Sequence, residues 1–83
     1  MNNETLLKLL SIPNVLNRRG IRKRNGFPFQ TGWLLEMVRA FEKSPAPNSI
    51  TYEALITLDG ITYKGEIEIT NMGDLMIRRS YPA

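Results

Sequence analysis

The chain has no cysteine and no histidine. Without cysteine there is no disulfide frame and no thiolate chemistry. Without histidine the usual general base near neutral pH is missing, along with the commonest metal ligand, and a zinc site is excluded. No glycine-rich phosphate loop in a strand–helix context occurs, nor a nucleophile elbow, nor a calcium loop. The expectation is a protein that is not an enzyme, with no catalytic residue, no metal and no cofactor. Long apolar runs are also lacking. The stretch Leu6 to Leu10 is interrupted by Lys8 and is far too short for a signal segment or a spanning helix, so a cytoplasmic protein with no membrane partner is expected.

What the chain does have is a concentration of positive charge. Of its 11 lysines and arginines, five fall between positions 18 and 24: Arg18, Arg19, Arg22, Lys23 and Arg24. The net charge is +3, so the other six basic and eight acidic residues sum to −2. The sequence pI of 9.6 is therefore local, a cationic segment on a mildly acidic body. Such a field attracts a polyanion or an acidic protein face.

Eighty-three residues, 42% hydrophobic and 23% charged, make one ordinary globular domain. A chain of this size buries only about 60–65% of its unfolded surface, so its core must be compact. Asn3 is a plausible N-cap ahead of Glu4, and Leu6, Leu7, Leu9 and Leu10 give a helical apolar face that Pro13 is expected to end. A second short helical turn is expected from Pro13 to Arg19, closed by Gly20, with Val15 and Leu16 inward. Residues 18–29 then read as a basic irregular loop. Phe27 and Phe29 flank Pro28 and are expected to pin that loop to the core. Thr31 can cap a longer helix with an apolar stripe through Trp33, Leu34, Leu35, Met37, Val38, Ala40 and Phe41 and a wet stripe of Glu36, Arg39 and Lys43. The run from Ser44 to Asn48, rich in proline, ends it.

The last third is the most legible. Ile50, Tyr52, Ala54, Ile56 and Leu58 alternate with mostly polar residues, as do Ile61, Tyr63, Gly65, Ile67 and Ile69. Asp59-Gly60 between them is the signature of a type I′ hairpin, which pairs Leu58 with Ile61, Ile56 with Tyr63 and Tyr52 with Ile67. A third strand runs from Asp74 to Arg79. A three-residue loop with Gly73 left-handed sets Ile69 opposite Leu75, Ile67 opposite Ile77 and Glu66 opposite Arg78. The fold expected is α+β: short N-terminal helices, one longer helix, then a three-stranded antiparallel meander packed on that helix. A winged helix is the minor alternative. The strands 50–58 and 74–79 are the expected sheet edges, either one open to a second copy in a homodimer.

Several constellations compete for function. In the basic segment, guanidinium groups suit bidentate phosphate contact, and Gly20 and Gly26 allow close backbone approach. Arg39 and Lys43 are candidate flank contacts. Its plain reading is a solvated loop, or one docked on the protein's own acidic residues. Glu53, Glu66 and Glu68 on the outer sheet face read as solvated carboxylates, with Glu53 and Glu66 directly opposed. The group Arg78, Arg79, Ser80 and Tyr81 resembles a ribonuclease-like set only loosely: Arg78 serves more simply as a partner for Glu66, and Tyr81 as a cap over the sheet edge. The functional expectation is a small binding protein contacting nucleic-acid phosphates, with low sequence specificity because nothing offers base-edge readout. The alternative is a small inhibitor or adaptor, of the size that phages and mobile elements encode, docking its basic loop on an acidic protein surface of a larger enzyme.

Overall fold

Helix α1 spans Asn3–Arg18. Its cap is Asn2, one residue earlier than expected, whose Oδ1 accepts the Thr5 amide at 2.8 Å. Thr5, Leu9, Ile12 and Leu16 follow one another at helical spacing and all are buried. Leu7 and Leu10 are exposed, so the apolar face is narrower than the leucine count suggests. Pro13 lies inside this helix rather than ending it. The two short helices expected are therefore one. An interior proline removes a backbone hydrogen bond and crowds a carbonyl, at about 3 kcal/mol. Continuing the helix buries Ile12 and Leu16, each worth about 1.5–3 kcal/mol, on the same face as Leu9. Packing outweighs the local penalty.

The computed structural model describes residues 2–43 and 48–82, the last four as backbone alone. After α1 come β1 (Ile21–Lys23), α2 (Thr31–Lys43), β2 (Ser49–Leu58), β3 (Ile61–Thr70) and β4 (Leu75–Pro82). The four strands form one antiparallel sheet in the order β1-β2-β3-β4. Strand β1 corrects the reading of residues 18–29 as wholly irregular. It lies beside β2 with Ile21 opposite Ile56 and Lys23 opposite Ala54. One edge of the sheet is thus β1, and strand 50–58 is interior where β1 covers it. Helix α2 begins at Thr31, with the Leu34 amide bonded to the Gln30 carbonyl, so Thr31 lies inside the first turn rather than capping it. The proline-rich stop at 44–47 lies outside the described residues.

The expected pairs hold, although the last strand runs Leu75–Pro82 rather than Asp74 to Arg79. Leu58 faces Ile61, Ile56 faces Tyr63 and Tyr52 faces Ile67. Asp59 and Gly60 have φ of 49° and 80°, as a type I′ turn demands. On the other side Ile69 faces Leu75, Ile67 faces Ile77 and Glu66 faces Arg78. The Thr70 amide bonds Asp74, closing the three-residue loop.

One cluster makes the core. Leu9, Ile12 and Leu16 of α1 join Trp33, Leu34, Met37 and Phe41 of α2 over Ile21, Ala54, Ile56, Ile67 and Ile69 of the sheet. Both helices therefore cover one sheet face, where α2 alone was expected. A winged helix has three helices; two are present among the described residues, and α2 spends its best side chains on the core rather than offering a polar recognition face.

Gly65 is the tightest point. The pairing with β4 slips between Lys64 and Gly65. A Cβ at Gly65 would collide with the Arg78 carbonyl oxygen and the Ile56 Cδ1. Gly65→Ala should lower stability by about 1–3 kcal/mol, read as a fall in the urea midpoint; an unchanged midpoint would show that the strands part freely there. Pro13→Ala should act in the opposite sense. Restoring the amide to the middle of α1 should raise stability by about 1–2 kcal/mol, and a loss would mean that the ring's packing outweighs its missing bond.

Candidate functional site

The basic segment sits where α1 hands over to the sheet. Arg18 is in the last turn of α1, and the Arg19 amide bonds back to Val15 and Leu16. Cations there also complement the helix dipole, at about 0.3–1 kcal/mol each. The Gly20 carbonyl then accepts the Thr57 amide, which brings the chain onto the β2 edge. From that point strand alternation sorts the charges. Ile21 is buried. Arg22 stands on the opposite, helix-free face beside Leu55, and is exposed. Lys23 returns to the Ile21 side and is half-buried.

The chain next closes a rigid turn. The Gly26 amide bonds the Lys23 carbonyl at 2.8 Å, and the Lys23 amide bonds the Phe27 carbonyl at 2.9 Å. The Phe27 amide is in turn taken by the Asn25 side chain at 3.0 Å. Arg24 projects from this turn, its Nη1 2.9 Å from Glu53 Oε2. Both side chains are highly exposed, so the pair contributes less than about 1 kcal/mol. The expected pinning role divides between the two phenylalanines. Phe29 is buried, whereas Phe27 is 65% exposed.

Among the described residues there are two ion pairs, Arg24 with Glu53 and Arg78 with Glu68. The second corrects the expectation that Arg78 would take Glu66. The backbone register does set Arg78 opposite Glu66. Its guanidinium nevertheless reaches one step along the face to Glu68 Oε1, at 2.7 Å, while Ser49 Oγ holds Glu68 Oε2 at 2.8 Å. Glu68 is therefore a bonded, half-buried carboxylate and not merely a solvated one. Arg18, Arg19 and Arg22 are exposed and engage no carboxylate among the described residues. Arg39 and Lys43 are exposed on α2, a different element from the one that carries the cluster, with Lys43 about 18 Å along the helix from Thr31. The side chains of Arg79, Ser80 and Tyr81 lie outside the described residues, including the expected Tyr81 cap.

A cleft of about 560 Å³ opens beside the turn, between Lys23, Arg24 and Asn25 on one wall and Phe29, Trp33 and Tyr52 on the other. Phe29 and Trp33 pack with ring centroids 4.6 Å apart, and Trp33 meets Tyr52 edge-on at 5.1 Å. The Trp33 indole N–H is buried with no hydrogen-bond partner. It lies close enough to the Tyr52 phenol to favour the phenolate slightly without closing a hydrogen bond. Burial, reinforced by the negative charge of Glu36, still pushes the Tyr52 pKa above its ordinary 10.0. Residue pattern alone did not reveal this cleft. The signal available was Asn25-Gly26, a dipeptide that marks tight hairpin turns and so implies a strand on its N-terminal side.

No protein-family model matches the chain, and neither a curated protein nor a solved structure matches it significantly.

The Tyr52 shift has a definite sign. A phenol whose folded pKa is raised adds stability below its unfolded pKa, and that contribution is lost as pH rises through the folded value. Replacing Glu36 by glutamine should move the phenol's titration midpoint down toward 10.0, seen in the one component of the three-tyrosine phenolate absorbance that is missing from Tyr52→Phe. A midpoint that rises or stays put would show that the Glu36 charge does not reach the phenol.

Proposed function

We propose that this protein is a non-catalytic binding protein that contacts nucleic-acid phosphates through Arg18, Arg19, Arg22, Lys23 and Arg24. The observation that carries the reading is the state of the three exposed arginines. Arg18, Arg19 and Arg22 lie within five positions of one another at the junction of α1 and β1, and none engages a carboxylate among the described residues. Arginine forks match phosphate oxygens bidentately and keep their charge at any working pH. Arg24 can join them, because its exposed pair with Glu53 is weak enough for a phosphate to displace. Lys23 guards the mouth of the cleft. Arg39 and Lys43 are reached only by phosphates flanking this primary site. The setting proposed is the cytoplasm; among the described residues no helix is long and apolar enough to cross a membrane.

A second reading is favoured by the carboxylates beside the cluster. Glu53 and Glu66 face one another across β2 and β3, next to Arg24. A surface of mixed sign suits a protein partner better than a uniform polyanion. On that reading the protein is a small inhibitor or adaptor docking on a larger enzyme, and one stoichiometric partner would survive nuclease treatment in a pull-down. A strand edge is also available for a second copy, at β4.

The two readings part on salt dependence. With about five phosphate contacts, duplex DNA binding should follow a log–log salt slope near −4 to −5. Arg19→Gln and Arg22→Gln should each make the slope shallower by about 0.9. A slope near zero, or one unmoved by either variant, rejects phosphate contact.

A further inference from the structure

Phe27 is the least expected side chain in the site. Large aromatics in a small domain normally go to the core, and Phe29, two residues on, does so. Phe27 does not: it is 65% exposed. Nor is it carried on loose chain. Its carbonyl and its amide are both held within the turn, by the Lys23 amide at 2.9 Å and by Asn25 Oδ1 at 3.0 Å. The turn that fixes it also carries Arg24, and Arg22 lies just before it. The same turn forms one wall of the cleft whose other wall is Phe29, Trp33 and Tyr52. An exposed ring on an ordered turn that also carries Arg24, next to a cleft lined by Phe29, Trp33 and Tyr52, is a constellation for unpaired bases.

We infer that the Lys23–Phe27 turn and its cleft take single-stranded nucleic acid: one base stacks on Phe27, and its neighbour enters the cleft beside Phe29, Trp33 and Tyr52. Arg22, Lys23 and Arg24 hold the intervening phosphates. This rests on the phosphate-binding reading and narrows it. In a duplex the base faces are occupied by one another, so Phe27 finds no partner and only the charge contribution is left. The ring and the charges thus make separable contributions. Phosphate contacts act on both forms of nucleic acid, whereas stacking acts on the single strand alone. The 2′-hydroxyl plays no part in either contact, so DNA and RNA strands are both accommodated.

Fluorescence anisotropy at one fixed salt concentration tests this, with short labelled oligothymidylate, oligouridylate and a duplex of matching length. Both single strands should bind more tightly than the duplex. Phe27→Ala should weaken single-strand binding roughly 5- to 150-fold and leave duplex binding unchanged. Phe27→Tyr should restore it, since a phenol ring also stacks. The chain has one tryptophan, so its emission reports on the cleft directly and should change as the single strand saturates. Because Phe27 is exposed, an unchanged circular dichroism spectrum of the alanine variant is expected and would rule out misfolding as the cause. If the alanine variant binds single strands as tightly as the parent while Arg22→Gln weakens both forms, stacking is overturned and phosphate contact stands. Trp33 emission unchanged at saturation overturns the placement of a base in the cleft. No binding to any of the three probes overturns the phosphate reading together with this one.

Discussion

Ile21 decides what the basic segment can be. It is the only apolar residue between Leu16 and Phe27, and it is almost wholly buried, opposite Ile56. Burying one isoleucine is worth about 1.5–3 kcal/mol. In this position it also draws the run of charges into a strand. Once the backbone is a strand, its side chains must alternate. Arg22 then points away from the helices and Lys23 toward them, into the mouth of the aromatic cleft. A free loop would have left all five charges on one flexible arc. The strand instead distributes them around a sheet edge with their backbone already ordered, so less entropy is lost when a ligand is bound. The site is therefore a consequence of core packing, and it could not be moved without opening the core at Ile21.

The acidic residues belong to the same balance. Glu53 and Glu66 are directly opposed on the outer face, and like charges in that arrangement destabilise a sheet slightly. Arg24 leans on Glu53 and relieves part of this. Arg78 would have relieved Glu66, yet it goes to Glu68, which Ser49 already orients. A carboxylate held by a hydroxyl and less exposed than its neighbours gives a guanidinium a better-fixed partner than one free in solvent. The consequence reaches the cluster. Glu53 engages Arg24 alone, and Arg18, Arg19 and Arg22, paired with no carboxylate among the described residues, keep their field.

Legibility in the sequence follows the strength of local rules. The register of the two hairpins near their turns was readable because turn chemistry and alternation pointed the same way, whereas the slip at Lys64 and Gly65 and the run of β4 past Arg79 were not. Asp59-Gly60 fixed one register, and the left-handed Gly73 fixed the other. Where a local rule met tertiary packing, the rule lost. Pro13 is a sound stop signal, but Ile12 and Leu16 continue the buried face of Leu9 through it. Strand β1 was hidden for a different reason. Three residues with a single apolar side chain carry no period to detect, and the strand exists because β2 offers it an edge. The candidate site was half legible. The charges could be read from composition, but their separation by face, the exposure of Phe27 and the aromatic cleft depend on the strand that pattern could not show.

Stability and recognition share residues in this domain to an uneven degree. A buried N–H without a partner costs about 1–3 kcal/mol. For a chain of 83 residues, with a total stability of roughly 4–12 kcal/mol, that is a large fraction. The Trp33 indole bears this cost and is tolerated because its ring packs on both Phe29 and Tyr52, each such pair contributing about 0.5–1.5 kcal/mol beyond its burial. Trp33 and Phe29 are thus committed to the fold first, and a change there would alter the site by way of the core. Phe27 and the exposed arginines carry no such commitment. They rest on a turn and a strand that the backbone and Ile21 hold in place. Their chemistry can therefore change from one variant to another while the scaffold stays intact, which makes the exposed side of β1 the part of this molecule where binding can be altered at little risk to folding.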